Sequence, residues 1–131
     1  MIEITEKDFS LDEMVKMAKR DDAGAIVTFL GTVRDDGIRS MELEAYSDVA
    51  RIELESIAHE AKSRFNLKSV NIVHRVGRLH VGDNIVAIVV SAAHRDEAFM
   101  GCRHIIEELK ARALIWKKEI GSCGERWVGH E

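Results

Sequence analysis

The chain has no proline and only two cysteines among its 131 residues. Without proline, helix ends must be set by capping side chains and glycines. Cys102 and Cys123 form no CxxC pair, and their spacing matches no zinc module. Cys102 falls on the apolar side of a helix-period segment and reads as a buried thiol. Cys123 sits in the turn GSCG and receives no role. No apolar run reaches the length of a membrane span, and no N-terminal signal pattern is present, so the chain reads as cytoplasmic. Positive charge is also scarce: 19 Lys and Arg against 23 Asp and Glu leave a net charge of −4. That argues against a general affinity for nucleic acid or an anionic membrane, while a local basic pocket remains compatible with it. HExxH, EF-hand, Walker and GxGxxG patterns are missing. His74 and His80, six apart across a turn, are a weak basis for a metal site, and no metal is expected.

What is present is the composition of a globular chain, 46% hydrophobic and 32% charged. Its length suits one domain over residues 1–131, large enough to bury a core unaided. The segment Met1 to Thr5 reads as a short strand. Ser10 with Glu13 reads as a capping box for a helix from about Leu11 to Arg20. Ala25 to Val33 (AIVTFLGTV) predicts a strand, apolar enough to be central in a sheet, with a bulge or close backbone approach at Gly31. Met41 to Tyr46 alternates like a strand with one wet face. Asp48 is the expected cap of a helix over about Val49 to Phe65, with Val49, Ile52, Leu54, Ile57, Ala58 and Ala61 as its apolar stripe. Ser69 to Val76 and Ile85 to Ala93 predict strands, separated by the short segment Arg78–His80. A third helix starts at Arg95 or Asp96 and reaches about Ala111 to Ala113. Two final strands, Ile115 to Ile120 and Glu125 to Val128, flank a Gly-rich turn. The order β-α-β-β-α-β-β-α-β-β, with short links, predicts an α+β fold with a largely antiparallel sheet and three helices.

Several cations stand out against this background. Lys110 lies near the end of the third helix, where the dipole alone would favour it. Lys117 follows Trp116 in a strand, with Lys118 beside it, so one lysine points in and the other out. An inward lysine beside an indole is desolvated and thereby suited to acid, base or nucleophile chemistry. The seven-residue gap between Lys110 and Lys117 crosses a chain reversal, which allows the two ammonium groups to converge. His94–Arg95 lies where a buried strand passes into a helix, a place that favours an anion. Arg34 leaves another apolar strand through the polar loop that follows it. Together these residues suggest a phosphate or carboxylate pocket.

The blocks GAIVTFLGTVRD, LEAY, HRVGRLHVGD, SAAHRDEAF, ELKARALIWKKE and RWV occur in this order and span most of the chain. In these blocks the chain resembles the catalytic, large subunit of molybdopterin synthases. The resemblance implies an α/β-hammerhead fold and a sulfurtransferase of molybdenum cofactor biosynthesis. Such an enzyme converts cyclic pyranopterin monophosphate to molybdopterin by two sulfur transfers. The sulfur comes from a thiocarboxylate on the C-terminal Gly-Gly tail of a small ubiquitin-like partner, so no resident cofactor is expected. It also implies a homodimer of large subunits with a small subunit at each far end, a heterotetramer. Matched by motif, Lys110 and Lys117 are expected to be catalytic, and Arg34, His94, Arg95 and Arg103 to bind substrate. Leu114 and Ser47 stand where the family commonly has proline, which would stiffen those turns. Two other readings fit the residues: a non-catalytic module that binds a ubiquitin-like Gly-Gly tail, and a Schiff-base lyase acting on a phosphorylated sugar.

Overall fold

The computed structural model describes residues 1–112, 115–121 and 124–128. Along the chain lie β1 (Ile2–Thr5), α1 (Leu11–Ala18), β2 (Ala25–Thr32), β3 (Ile38–Ala45), α2 (Ser47–Arg64), β4 (Leu67–Arg75), β5 (Gly77–His80), β6 (Asn84–Ala92), α3 (Arg95–Arg112), β7 (Ile115–Gly121) and β8 (Gly124–Val128). The ten predicted elements, including the three helices, are found in order, with one addition. The short segment at Arg78–His80 is itself a strand, β5, so three strands rather than two lie between α2 and α3, and the class is α+β. The strands form two four-stranded sheets, β1-β4-β6-β2 and β5-β3-β7-β8, rather than one. The pairings are antiparallel except for β1 with β4.

β6 is the apolar spine of the first sheet. Its sequence, NIVAIVVSA, is buried from Ile85 onward because both faces are covered. Val86, Ile88, Val90 and Ala92 face the main core shared with α2 and α3. Ala87 and Val89 face Met14 and Ala18 of α1. The second sheet adds Met41, Leu43, Leu79 and Ile115 to the main core, and Glu44 of β3 stays exposed, as alternation requires.

β2 departs from its expected place. It is an edge strand beside β6, and its Leu30 is 40% exposed. An apolar run reports covered faces, not neighbours on both edges, and α3 packs over β2. The bulge expected at Gly31 is present as a register shift between Gly31 and Thr32. A Cβ on Gly31 would lie 2.9 Å from Val86 Cγ1, so this position needs glycine for close approach.

The helices differ from expectation at their ends. Ser10 caps α1, its Oγ accepting from Glu13 N at 3.3 Å, but the Glu13 carboxylate turns to Lys16 at 3.9 Å and α1 stops at Ala18. α2 begins at Ser47, with Tyr46 in the cap position and no side-chain bond there. Asp48 therefore sits inside the first turn, where a carboxylate is favoured by the dipole. The buried stripe of α2 is Ala50, Leu54, Ile57, Ala58 and Ala61. Val49 and Ile52, expected in that stripe, are instead exposed. α2 and α3 pack antiparallel, clamped by Arg112. Its guanidinium donates to Glu53 at 2.6 Å, to Glu108 at 3.2 Å and to Glu60.

Candidate active site

A cavity of about 430 Å³ opens between the two sheets at the C-terminal end of α3. Its titratable lining is Arg34, Asp36, His74, Lys110, Lys117 and Glu119, with Thr32 beside them, set among apolar walls that include Phe29, Met41, Ile88 and Leu109. The two lysines expected to converge do so. Lys110 comes from the last turn of α3, and Lys117 from the inward face of β7. Lys118 points the other way, pairing with Glu125 at 2.8 Å and lying over the Trp127 ring at 5.5 Å.

Lys117 is held below the ordinary lysine range. Burial is the main cause, the Lys110 cation adds to it, Glu119 opposes it and Arg34 contributes further. The direction agrees with the expectation from sequence, but the cause does not. Trp116 does not cover Lys117; it faces the opposite side of β7, edge-on to Tyr46 at 5.6 Å. The core that closes the cavity, not the indole, removes water from Lys117.

Arg34 enters from the loop after β2. The base of that loop is tied by Val33 N–H donating to Asp83 O at 2.9 Å and Gly82 N–H donating to Val33 O at 2.8 Å. The guanidinium itself is 84% exposed and donates to Asp36 Oδ2 at 2.8 Å. So exposed a pair is worth little, and an incoming anion can compete for the arginine.

His94, Arg95 and Arg103 are not in this cavity. His94 and Arg95 lie exposed at the N-terminal end of α3. The fifteen residue steps from Arg95 to Lys110 correspond to ~22 Å of helix. Arg103 points outward and pairs with Glu107 at 2.9 Å. The pocket in which Arg34, His94 and Arg95 were expected to meet is thus not formed within one chain. One helix carries Arg95 and Lys110 at opposite ends, and its length keeps them apart.

The cavity also contains groups that sequence reading did not select. Glu119 lies two residues beyond Lys117, on the same face of β7, and accepts from Arg126. His74 lies two residues beyond the core residue Ile72 of β4, so strand alternation already pointed it inward. It is 3% exposed, and its Nδ1–H donates to Arg75 O at 2.8 Å. Burial lowers its pKa to about 4; the backbone bond opposes this, and the Lys117 charge adds to the lowering.

Elsewhere, Cys102 is buried as expected, and burial pushes its thiol up to about 11. Cys123 and Leu114 lie outside the described residues. Glu60, His104 and Glu108 bring potential ligand atoms within 4.8 Å of one another, but Arg112 engages both carboxylates. Among the described residues no helix is long and apolar enough to cross a membrane.

A family model described as MoaE protein matches residues 4–112. The chain belongs to the MoaE protein family. A molybdopterin synthase catalytic subunit from Pyrococcus abyssi (strain GE5 / Orsay) is 42% identical over 126 residues, covering 93% of this chain and 85% of that protein. The crystal structure of molybdopterin synthase from Staphylococcus aureus superposes with a TM-score of 0.93 at 34% identity, covering 98% of this chain and 97% of that one. A chain from the complex of subunits 1 and 2 of molybdopterin-converting factor from Helicobacter pylori 26695 shares the fold, with a TM-score of 0.82 at 22% identity over 98% of this chain and 90% of that one. The two-sheet, three-helix architecture is therefore the MoaE fold.

Proposed function

We propose that this chain is the catalytic subunit of a molybdopterin synthase. It converts cyclic pyranopterin monophosphate to molybdopterin, taking both sulfurs from the C-terminal thiocarboxylate of a small ubiquitin-like subunit. The observation that carries this reading is the convergence of Lys110, Lys117 and Arg34 on one cavity in a chain that is acidic overall. Membership of the MoaE family and relatives named as catalytic subunits support it. The chain works in the cytoplasm and holds no resident cofactor, since the partner's tail brings the sulfur.

The chemistry follows from the cavity. Arg34 leaves Asp36 to take the substrate phosphate as a bidentate donor. Lys110, in the last turn of α3, acts either by proton transfer at the reacting carbon atoms or as an amine that attacks the thiocarboxylate carbonyl. On the second route the C–S bond breaks to release the sulfur as sulfide to the pterin, and water then cleaves the resulting amide to a carboxylate and the free amine. Lys117, partly desolvated, steadies developing negative charge or holds the thiocarboxylate. Glu119 limits the repulsion among the cations. His94, Arg95 and Arg103 act from a second copy. A symmetric dimer can set the N-terminal end of one α3 against the cavity of its partner, which a single chain cannot do for itself.

Reconstitution tests the reading. The chain is mixed with a thiocarboxylated small subunit and cyclic pyranopterin monophosphate, and dithiolene-containing pterin is assayed. Wild type should form product, and Lys110→Ala should lose at least ~10²-fold in rate. Product from neither, with the partner tail still bound, would favour a tail-binding module instead.

A further inference from the structure

We propose that His74 is a specificity-determining residue of the cavity, its Nε2 accepting a hydrogen bond from an N–H or O–H of the bound substrate. The inference rests on the synthase reading of the same cavity. It goes beyond that reading by assigning a part to a side chain outside the cationic set.

The argument starts from the tautomer. Nδ1 lies 2.8 Å from the Arg75 carbonyl oxygen, which can only accept, so Nδ1 carries the proton. A buried imidazole beside a lysine stays neutral, so Nε2 keeps a bare lone pair. Among the described residues Nε2 has no hydrogen-bond partner, and the sealed polar atom without one is Arg75 Nε. Nε2 is therefore not sealed, and the open space that His74 lines is the cavity.

The composition of the lining makes that lone pair useful. Arg34, Lys110 and Lys117 are donors only. Asp36 and Glu119 are charged acceptors: Glu119 is engaged by Arg126, and Asp36, which Arg34 leaves on taking the phosphate, is half exposed in the loop after β2. Besides the exposed Thr32 hydroxyl, His74 is the neutral side-chain acceptor on the described wall. A phosphorylated ligand satisfies the cations with its phosphate and must place its own N–H and O–H groups elsewhere. A carboxylate at position 74 would collapse onto Lys117, and a protonated ring would repel it. A neutral acceptor avoids both and disfavours an analogue that lacks the matching donor.

Two substitutions separate acceptor from packing. The Gln side chain can bring an amide oxygen to the Nε2 position. Asn reaches only the Nδ1 position, where its amide can still donate to Arg75 O. In the reconstituted synthase, His74→Asn should raise KM for cyclic pyranopterin monophosphate ~10-fold, with kcat little changed, because the lost bond acts on bound substrate and transition state alike. His74→Gln should stay within ~3-fold of wild type. Equal losses in both variants would assign His74 to packing and overturn the proposal.

A second measurement uses the wild-type chain alone and so holds even where a variant fails to fold. With ¹⁵N-labelled histidine at pH 7, His74 should show a protonated Nδ1 and a bare Nε2, and adding cyclic pyranopterin monophosphate should move the Nε2 signal. The opposite tautomer, a charged ring, or no movement at saturating pterin would overturn it. The two ideas fail separately. Product formation with an unmoved Nε2 sinks the His74 inference alone. A moved Nε2 without product from any sulfur donor sinks the synthase reading alone. No pterin binding sinks both.

Discussion

His74 and Cys102 show how burial sets the behaviour of single side chains in this chain. The His74 pKa falls from 6.5 to about 4 on folding. Between those values the unfolded chain binds a proton that the folded chain refuses, so stability is intact above pH 6.5 and is lost as pH falls towards 4. The loss amounts to up to ~3 kcal/mol. Thermal unfolding of wild type and His74→Gln across pH 7 to 4 should show a shallower decline in the variant, whereas parallel curves would place the titration elsewhere. Cys102 is raised to about 11 by burial. It should resist iodoacetamide at pH 8 in the folded protein and react promptly once unfolded, as peptide mass spectrometry would record. Its buried role was legible because a cysteine on an apolar helix stripe has few other readings. The inward lysine was legible for a similar reason, since a Lys-Lys pair in a strand must split between faces. His74 and Glu119 went unselected although the same period-two rule places them inside. Attention to charge favoured cations, and a neutral imidazole carries no such mark.

The order of helices and strands, apart from the four-residue β5, was legible because caps, glycines and periodicity act locally. Which strands become neighbours was not, since pairing is decided by contacts far apart in sequence. β2 shows the difference. Its apolar run reflects α3 lying over it, while among the described residues its outer edge has no strand partner. α2 shows another, where the true stripe begins at Ala50 and leaves Val49 and Ile52 outside. The seating of α3 rests on Gly101, where a Cβ would come within 2.8 Å of both Leu67 methyls. Leu67 is itself buried and has little room to yield. Gly101→Val should therefore destabilise the fold by about 1–3 kcal/mol, as overpacking does. Urea unfolding would measure it, and Leu67→Ala in the same chain should recover part of the loss. At the other end of α3, Arg112 separates three glutamates. Removing it in Arg112→Ala leaves Glu53, Glu60 and Glu108 facing one another, and should cost about 1 kcal/mol, since solvent screens charges this exposed. Added salt should partly restore that loss, since these carboxylates are partly exposed.

At the scale of the whole molecule, the proposed site is divided between the two ends of α3. The lysines stand at its C-terminal end, whereas His94 and Arg95 stand exposed at its N-terminal end beside Phe99 and Met100, which are 61% and 52% exposed. Large apolar side chains left in water next to basic groups that have no ion-pair partner among the described residues fit a surface made to be covered. Motif matching could name these residues but could not say which copy of the chain uses them, because sequence carries no information on how copies meet. The proposed dimer gives a sharp expectation. Lys110→Ala loses the proposed catalytic amine, and Arg95→Ala the proposed anion contact, so each homodimer should be impaired. In a mixed dimer, the intact Lys110 cavity faces the intact Arg95 of the other subunit. Random mixing by coexpression makes half the dimers mixed, each with one whole site, so activity should return to roughly a quarter of the wild-type rate. If Arg95 acted within its own chain, every subunit would carry one defect and mixing would restore nothing. The assay is the same dithiolene product in both cases, and only the pairing of subunits differs. A failure to recover would return Arg95 to a surface role on α3 while leaving the Lys110–Lys117–Arg34 cavity as the proposed reacting centre.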